Sequence, residues 1–226
     1  NYLAHTNYGK LLSEDGSTSE ALQHFLQAIR IQPVFNEPYT LAGNALVELG
    51  RPEEALPYHE KSLGLKPDFH PAQLGMGNAL AAIGRPEEAI VHYETALELK
   101  PKNVLALNAL GSALDDLGKV DEAIVRYQQA LQRDPDFAAA RNNLAAAYVK
   151  QGRIADAASE LRTALEDDPN RADYHYNYAV LKNYQGDSAL AIHHLESALE
   201  LDPNYSEARK ALEQIRRTAS EKGELP

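Results

Sequence analysis

Apolar residues recur along the chain at intervals of three and four positions, and short polar segments interrupt them at regular distances. In residues 104–137 one apolar stripe ends at Gly118, and a second begins after Asp121 and Glu122 and ends at Pro135. This spacing is typical of amphipathic helices, which glycine often ends and acidic residues often begin. The segment is therefore predicted to form two helices joined by a tight turn.

The whole pattern recurs every 34 residues, so that six complete copies follow one another. When the copies are aligned, each position of the repeat forms a column, and one of these columns contains proline in every copy. Its members are Pro33, Pro67, Pro101, Pro135, Pro169 and Pro203. A single helix pair cannot bury its own apolar face, so neighbouring copies should stack and share a continuous core. The predicted copies are 2–35, 36–69, 70–103, 104–137, 138–171 and 172–205.

These columns resemble the tetratricopeptide repeat. The resemblance lies in the apolar-small step of Leu110-Gly111, the aromatic four residues after alanine in Ala89 and Tyr93, and the closing proline. It covers residues 2–217 and implies an all-α fold, a right-handed α-α superhelix of antiparallel helix pairs. In such a solenoid the first helix of each copy lines the concave surface. The tryptophan of the family's first helix is replaced in all copies, by His5, Tyr39, Gln73, Leu107, Arg141 and His175.

The two ends of the chain differ. Residues 206–217 are apolar on one face and charged on the rest, which predicts a capping helix, and residues 218–226 are predicted to be a polar tail or linker. The chain starts at Asn1 without an initiator methionine or signal peptide, so we expect a processed or excised chain.

Composition excludes several classes of function. There is no cysteine, and the net charge of −11 disfavours nucleic-acid binding, which needs clustered basic residues. No apolar run reaches the roughly 18 residues of a membrane span, so no direct membrane insertion is expected. The compartment stays open, because a cytoplasmic and a periplasmic or extracellular location are both compatible with this composition.

Motifs for catalysis and metal binding are weak. Gly75 and Gly77 lack the third glycine of a dinucleotide-binding loop, and acidic pairs such as Glu53-Glu54 fall in first helical turns, where they stabilise the helix. Adjacent His193 and His194 point in different directions on a helix, and the remaining histidines are not spaced by three or four residues as helical metal ligands are. We therefore expect no catalytic residue, no cofactor and no metal site.

Asparagines on the inner face of the first helices predict a peptide-binding groove. The asparagine amide both donates and accepts, which suits the backbone of a bound peptide. This face carries more acidic than basic residues, which favours a neutral to basic partner. The predicted groove residues are Thr40, Asn44, Asn78, Asn108, Ser112, Asp115, Asn142, Tyr176, Asn183 and Tyr184.

Three hypotheses about function follow. The first is a non-catalytic scaffold for protein–protein interaction that holds an extended or helical peptide segment in the groove. The second is the substrate- or partner-recruiting region of a larger enzyme, such as a glycosyltransferase that carries these repeats. The third is a structural protein that self-assembles as a homo-oligomer.

Overall fold

The computed structural model describes residues 1–221, and the regular secondary structure within them is entirely α-helical. The predicted all-α class is therefore confirmed. The first helix of each pair begins at the first residue of a predicted copy. The helices are α1 (Tyr2–Glu14), α2 (Thr18–Ile31), α3 (Asn36–Glu48), α4 (Pro52–Leu65), α5 (His70–Ala82), α6 (Pro86–Leu99), α7 (Val104–Asp116), α8 (Val120–Arg133), α9 (Ala138–Lys150), α10 (Ile154–Asp167), α11 (Ala172–Tyr184), α12 (Ser188–Leu201) and α13 (Ser206–Glu221).

A glycine in the left-handed conformation ends the turn between the helices of each pair. Gly118 has φ of 73°, and its N–H donates to the carbonyl of Asp115 at 2.9 Å. The next N–H, that of Lys119, donates to the carbonyl of Leu114 at 2.9 Å. These bonds satisfy carbonyls that the helix end would otherwise leave unpaired, and a side chain at Gly118 would strain the backbone. The same conformation occurs at Gly16, Gly50, Gly84, Gly152 and Gly186.

Small residues in the first helix make room for a ring from the second helix. A Cβ added to Gly9 would lie 2.5 Å from Cε1 of Phe25, and one added to Gly77 would lie 2.4 Å from Cε1 of Tyr93. Both distances are far below van der Waals contact. The glycines are therefore required by the close crossing of the two helices.

The chain divides into two compact units, residues 1–126 and a second unit that begins at Tyr127. In the first unit each helix packs on the helices before and after it, from α1 to α6, and α7 packs on α6. Buried residues such as Phe25 and Leu46 form part of the core of this unit. In the second unit α9 to α13 pack successively in the same way, with Leu195 and Leu212 in the core.

The last helix, α13, covers the end of the second unit. Leu212 and Ile215 are buried against α12, as the apolar face of the predicted cap requires. Residues 218–221, predicted from the sequence to belong to the tail, continue this helix, because Ala219 adds one more buried contact at 1% exposure. The remaining predicted tail, 222–226, lies outside the described residues. Within residues 1–221, no helix combines the length and the apolar character that crossing a bilayer requires.

Candidate functional site

The predicted groove asparagines occupy two helix positions rather than one continuous stripe. Asn44 and Asn78 share one position of the repeat, whereas Asn108 and Asn142 stand four residues earlier in their copies. Four residues are about one helical turn, so both positions lie on the same side of the first helix. The position of Asn44 and Asn78 is half-buried or exposed in every copy, while the earlier position is half-buried or buried.

Thr40, predicted to line the groove, is instead buried between α3 and α4. It belongs to the earlier of the two positions, and its side chain is 2% exposed. Its hydroxyl lies 2.7 Å from the hydroxyl of Ser62, which also donates to the carbonyl of Asn36 at 3.0 Å. Thr40 therefore stabilises the helix pair and does not face a ligand.

The other predicted residues of the first unit lie on its first helices. Asn78 is exposed, and its Oδ1 accepts a hydrogen bond from the hydroxyl of Tyr93 at 3.0 Å. Burial raises the pKa of Tyr93 well above its ordinary value, which keeps this hydroxyl a donor. Part of the Asn78 amide thus serves the fold. Asn44, Asn108 and Asp115 are half-buried, and Ser112 is exposed.

In the second unit, three predicted residues surround a cavity of about 490 Å³ between α9 and α11. We call this cavity the α9–α11 pocket. Asn142, Tyr176 and Tyr184 line it, whereas the exposed Asn183 does not. Its volume lies in the range of small-ligand and peptide side-chain sites. The complete lining is Asn142, Ala146, Val149, Lys150, Gly152, Ile154, Leu161, Tyr176, Asn177, Val180, Leu181 and Tyr184.

The α9–α11 pocket is mostly apolar, with one pair of amides in its wall. Nδ2 of Asn177 donates to Oδ1 of Asn142 at 2.9 Å, which leaves the second oxygen lone pair and remaining amide protons of the pair for a ligand. Leu161, which is 3% exposed, comes from α10 and supports the pocket from below. The pocket can therefore take up apolar side chains and hydrogen-bond a peptide backbone beside them.

The groove residues predicted from the sequence are polar or aromatic, so the prediction did not include the apolar residues of this site. Val149 and Val180 are 44% and 46% exposed, although both lie on the inner face that the repeat pattern defines. Two exposed valines in the lining of one pocket are a signal of a binding groove, whereas a single exposed valine elsewhere on the surface is not. Lys150 is the charged residue of the lining, so this part of the inner face does not share the predicted acidic character.

The equivalent place in the first unit, between α3 and α5, has a different chemistry. His59 stands where Leu161 stands in the second unit, is 0% exposed, and neither of its ring nitrogens has a hydrogen-bond partner. A Cβ on Gly75 would lie 2.4 Å from His59 Cε1 and 2.6 Å from Asn44 Oδ1, so the ring and the amide meet over this glycine. Burial, and to a smaller extent the charge of His92, together lower the pKa of His59 to about 4.

Residues 1–221 hold no group of three or more histidine, aspartate or glutamate side chains arranged for a metal ion. The expectation that the chain has no catalytic residue and no cofactor stays a prediction. Two histidine pairs, however, were not anticipated from spacing along one helix, because each pair joins the two helices of one copy. These are His5 with His24 and His175 with His194.

Comparison with family models identifies tetratricopeptide repeats over most of the chain. One model matches residues 116–181, a second matches 77–118, and a third matches both 37–69 and 172–205. Together they account for nearly all of residues 37–205. A search of curated protein sequences finds no match.

Solved structures share this fold. A chain of the APC/C hetero-tetramer Cut9-Hcn1 matches with a TM-score of 0.88 and 22% identity, over 95% of this chain and 43% of that chain. TTC0263 from Thermus thermophilus matches with a TM-score of 0.72 and 23% identity, over 80% and 98% of the two chains. YrrB, described as a protein with an unusual peptide-binding site, matches with a TM-score of 0.58 and 27% identity, over 83% and 96%. The present chain thus spans less than half of the first of these structures.

Proposed function

We propose that this chain, which belongs to the tetratricopeptide repeat family, is a non-catalytic interaction module that holds a peptide segment of a partner protein on its inner helix faces. A role as a scaffold for protein interaction is the general property of this fold. The observation that supports peptide binding most directly is the α9–α11 pocket, which combines exposed apolar walls with an amide pair.

The chemistry of this pocket favours a segment that inserts apolar side chains. Tyr184 is 75% exposed, and it lines the pocket together with the exposed Val149 and Val180. Removing such surface from water stabilises a complex by about 25 cal/mol per Å² before the cost of ordering the partner. The Asn142–Asn177 pair can then hydrogen-bond the backbone of an extended segment, so the pocket recognises apolar side chains beside a regular backbone.

Acidic residues on the inner face of the first unit favour a neutral to basic partner. Glu48 in α3 and Asp116 in α7 occupy the repeat position that Lys150 and Tyr184 occupy in the lining of the α9–α11 pocket. Lys10 forms an ion pair with Glu37 at 2.5 Å, so that carboxylate is already balanced. We therefore propose that a basic segment binds the first unit better than the α9–α11 pocket, where Lys150 is the charged lining residue.

YrrB adds support from similarity. That protein is described as having an unusual peptide-binding site, and it shares 27% identity with this chain. A recruiting role within a larger enzyme and self-assembly into a homo-oligomer stay predictions, and no contact within residues 1–221 favours either over the peptide-binding module.

The test is a selection of binding peptides from a random library displayed on phage, with the whole chain as bait. We expect the selected peptides to contain at least two apolar residues and to lose affinity by tenfold or more when Val180→Asp places a charge in the pocket wall. Val91→Asp is the matched control, because Val91 is 60% exposed but lies on α6, a second helix. Peptides that bind both variants equally well would remove the α9–α11 pocket from the proposal.

The asparagines are tested separately. Replacing Asn78, Asn108 and Asn142 together by alanine should weaken a selected peptide if the amides hold its backbone. Circular dichroism of the triple variant checks that the helices persist. Unchanged affinity in a folded triple variant would show that these amides do not contact the peptide.

A further inference from the structure

Two pairs of histidines occupy the same positions in the first and sixth copies. Nδ1 of His5 lies 2.9 Å from Nδ1 of His24, and Nδ1 of His175 lies 2.9 Å from Nδ1 of His194. The ring centroids are 5.1 Å apart in both pairs, and the rings are inclined by 32° and 36°. The same constellation is therefore built twice, in each case from one residue of the first helix and one of the second.

The surroundings of His175 prepare its Nδ1 to act as a ligand. Nε2 of this residue lies 3.1 Å from the carbonyl oxygen of Pro169, which has no proton to donate, so Nε2 carries the proton. A neutral His175 then has a lone pair on Nδ1, directed at its partner. Histidines that bind metal ions characteristically donate their second ring N–H to a carbonyl or carboxylate in this way.

We propose that each histidine pair binds a divalent cation of zinc type, with one Nδ1 from each ring and water at the other positions. Two imidazoles on a tetrahedral zinc ion at about 2.05 Å have ring centroids about 5.2 Å apart and ligating nitrogens about 3.3 Å apart. The observed centroid separation of 5.1 Å already matches this arrangement. On binding, the rings tilt to widen the nitrogen separation from 2.9 Å, and the Nδ1 proton that now bridges the two rings is replaced by one on Nε2 of the same ring, so that both Nδ1 lone pairs face the ion.

The first pair lies beside open space that can hold the ion and its water ligands, and a tyrosine ring packs against the second histidine of both pairs. His5 and His24 border a cavity of about 260 Å³, which Asn1 and Tyr8 also line. Tyr8 packs edge-on against His24 at 4.7 Å, and Tyr178 packs against His194 in the same way at 4.8 Å. These aromatic contacts limit the rotation of the second ring, which reduces the entropy lost on binding an ion.

The two pairs differ in the charge beside them. At the second pair, Nζ of Lys182 lies 5.1 Å from the centroid of the Tyr178 ring, and this ring packs edge-on against His194. The positive charge of Lys182 opposes a cation at this pair, so we expect the pair of the first copy to bind more tightly.

The third copy provides an internal control. Gln73 and His92 occupy the same two positions, and Nδ1 of His92 lies 2.7 Å from Oε1 of Gln73. This pair keeps the hydrogen bond between the helices but offers a single imidazole. Histidine-to-glutamine substitution in the first or sixth copy should therefore preserve the packing and remove the ion.

The experiment uses the full chain without an affinity tag, in equilibrium dialysis against Zn²⁺ at about pH 7.5, where free imidazole is unprotonated. We expect two ions per chain in the original protein, one in His5→Gln, one in His175→Gln and none in the double variant. Co²⁺ should give the intense visible absorption of a tetrahedral complex in the original protein, a weaker absorption in each single variant and none in the double variant. A double variant that still binds two ions, or an original protein that binds none, would overturn the proposal.

A gain-of-function variant tests whether the geometry is sufficient. Gln73→His creates a third pair with His92 and should raise the number of bound ions from two to three. His70→Gln is a control for binding to single histidines, because this residue has no histidine partner across its helix pair, and it should leave two ions bound. Failure of Gln73→His to bind an additional ion would contradict the claim that the paired positions define the site.

Discussion

The two junctions between first helices, α3–α5 in the first unit and α9–α11 in the second, are built from equivalent repeat positions but have opposite chemistry. At α9–α11 the floor is Leu161 and the wall carries Asn177, and a cavity opens above them. At α3–α5 the floor is the unpartnered His59, and Gly75 replaces the asparagine of the wall. The same repeat position is thus filled by a buried polar side chain in the α3–α5 junction and by a buried apolar side chain in the α9–α11 junction.

This difference teaches that the repeat specifies where a site can form, while single side chains decide what it can bind. Exposed charge follows the same rule, because Glu48 of the first unit is the counterpart of Lys150 in the second. The columns that repeat in all copies are those of the turns and close crossings. The columns that vary are those on the inner face of the first helices, such as the position shared by Glu48 and Lys150.

The largest expected effect comes from filling the α3–α5 junction. In Gly75→Val the new side chain meets the His59 ring and the Asn44 amide at distances below 3 Å, where the bare Cβ already clashes. We expect a loss of about 3 kcal/mol in the free energy of unfolding, because the helices must move apart. Urea unfolding followed by circular dichroism measures it.

Gly64 provides the control for this substitution. It lies in α4, and a Cβ added there would meet nothing within 4 Å. Gly64→Ala should therefore raise the stability by up to about 1 kcal/mol through its higher helix propensity. A Gly75→Val protein as stable as the original would show that the junction can open without cost.

The fold could be predicted from the sequence because its determinants are periodic. Gly118 and its counterparts end their helices by a backbone conformation that glycine adopts without strain, and the pattern makes each of them visible. Thr40 shows the limit of this approach. It lies on the correct side of α3, but the depth of that position depends on how closely α4 approaches, which helical spacing does not specify.

The candidate site could be predicted only in part, for a related reason. Tyr176 and Asn142 were recognisable from their polar or aromatic character on the inner face. Leu161 belongs to a second helix and looks like an ordinary core residue until the pocket above it is known. The pairing of His175 with His194 likewise depends on the crossing of two helices, which brings residues 19 positions apart into contact.

The next largest effect is expected from acid, which should destabilise the α3–α5 junction more than the α9–α11 junction. The folded-state pKa of His59, about 4, lies below the ordinary histidine value of 6.5, so the folded protein binds fewer protons than the unfolded chain. Its contribution is therefore fully present above about pH 6.5 and is lost progressively as the pH falls towards 4, by at most about 3 kcal/mol. Amide hydrogen exchange of α3–α5 at several pH values measures this loss.

His59→Leu serves as the matched variant for the acid experiment. It should remove the greater part of the additional acid sensitivity of α3–α5, while the exchange of α9–α11 should follow the same pH profile as in the original protein. An unchanged pH profile at α3–α5 in this variant would assign the acid sensitivity to other groups.

A smaller effect is expected from the same substitution at neutral pH. Leucine already occupies the equivalent position in the fifth and sixth copies, as Leu161 and Leu195. His59→Leu removes a buried N–H without a partner, and we expect a gain of about 1–2 kcal/mol in the free energy of unfolding. A loss of stability in urea unfolding would mean that the His59 ring has a stabilising interaction that leucine cannot replace.

The smallest expected effect concerns the wall of the α9–α11 pocket. Asn177→Ala removes the hydrogen bond to Asn142, but both residues are half-buried, so water can replace the lost partner. We therefore expect the free energy of unfolding, measured with urea, to fall by no more than about 1 kcal/mol. This loss is smaller than the one expected for Gly75→Val at the equivalent position. Peptides that use the amide pair should nevertheless bind Asn177→Ala more weakly, in a titration followed by fluorescence anisotropy. A large loss of stability would show that Asn177 serves the fold of the second unit as Gly75 serves the first, and the contrast between a packed and an open junction would then fail.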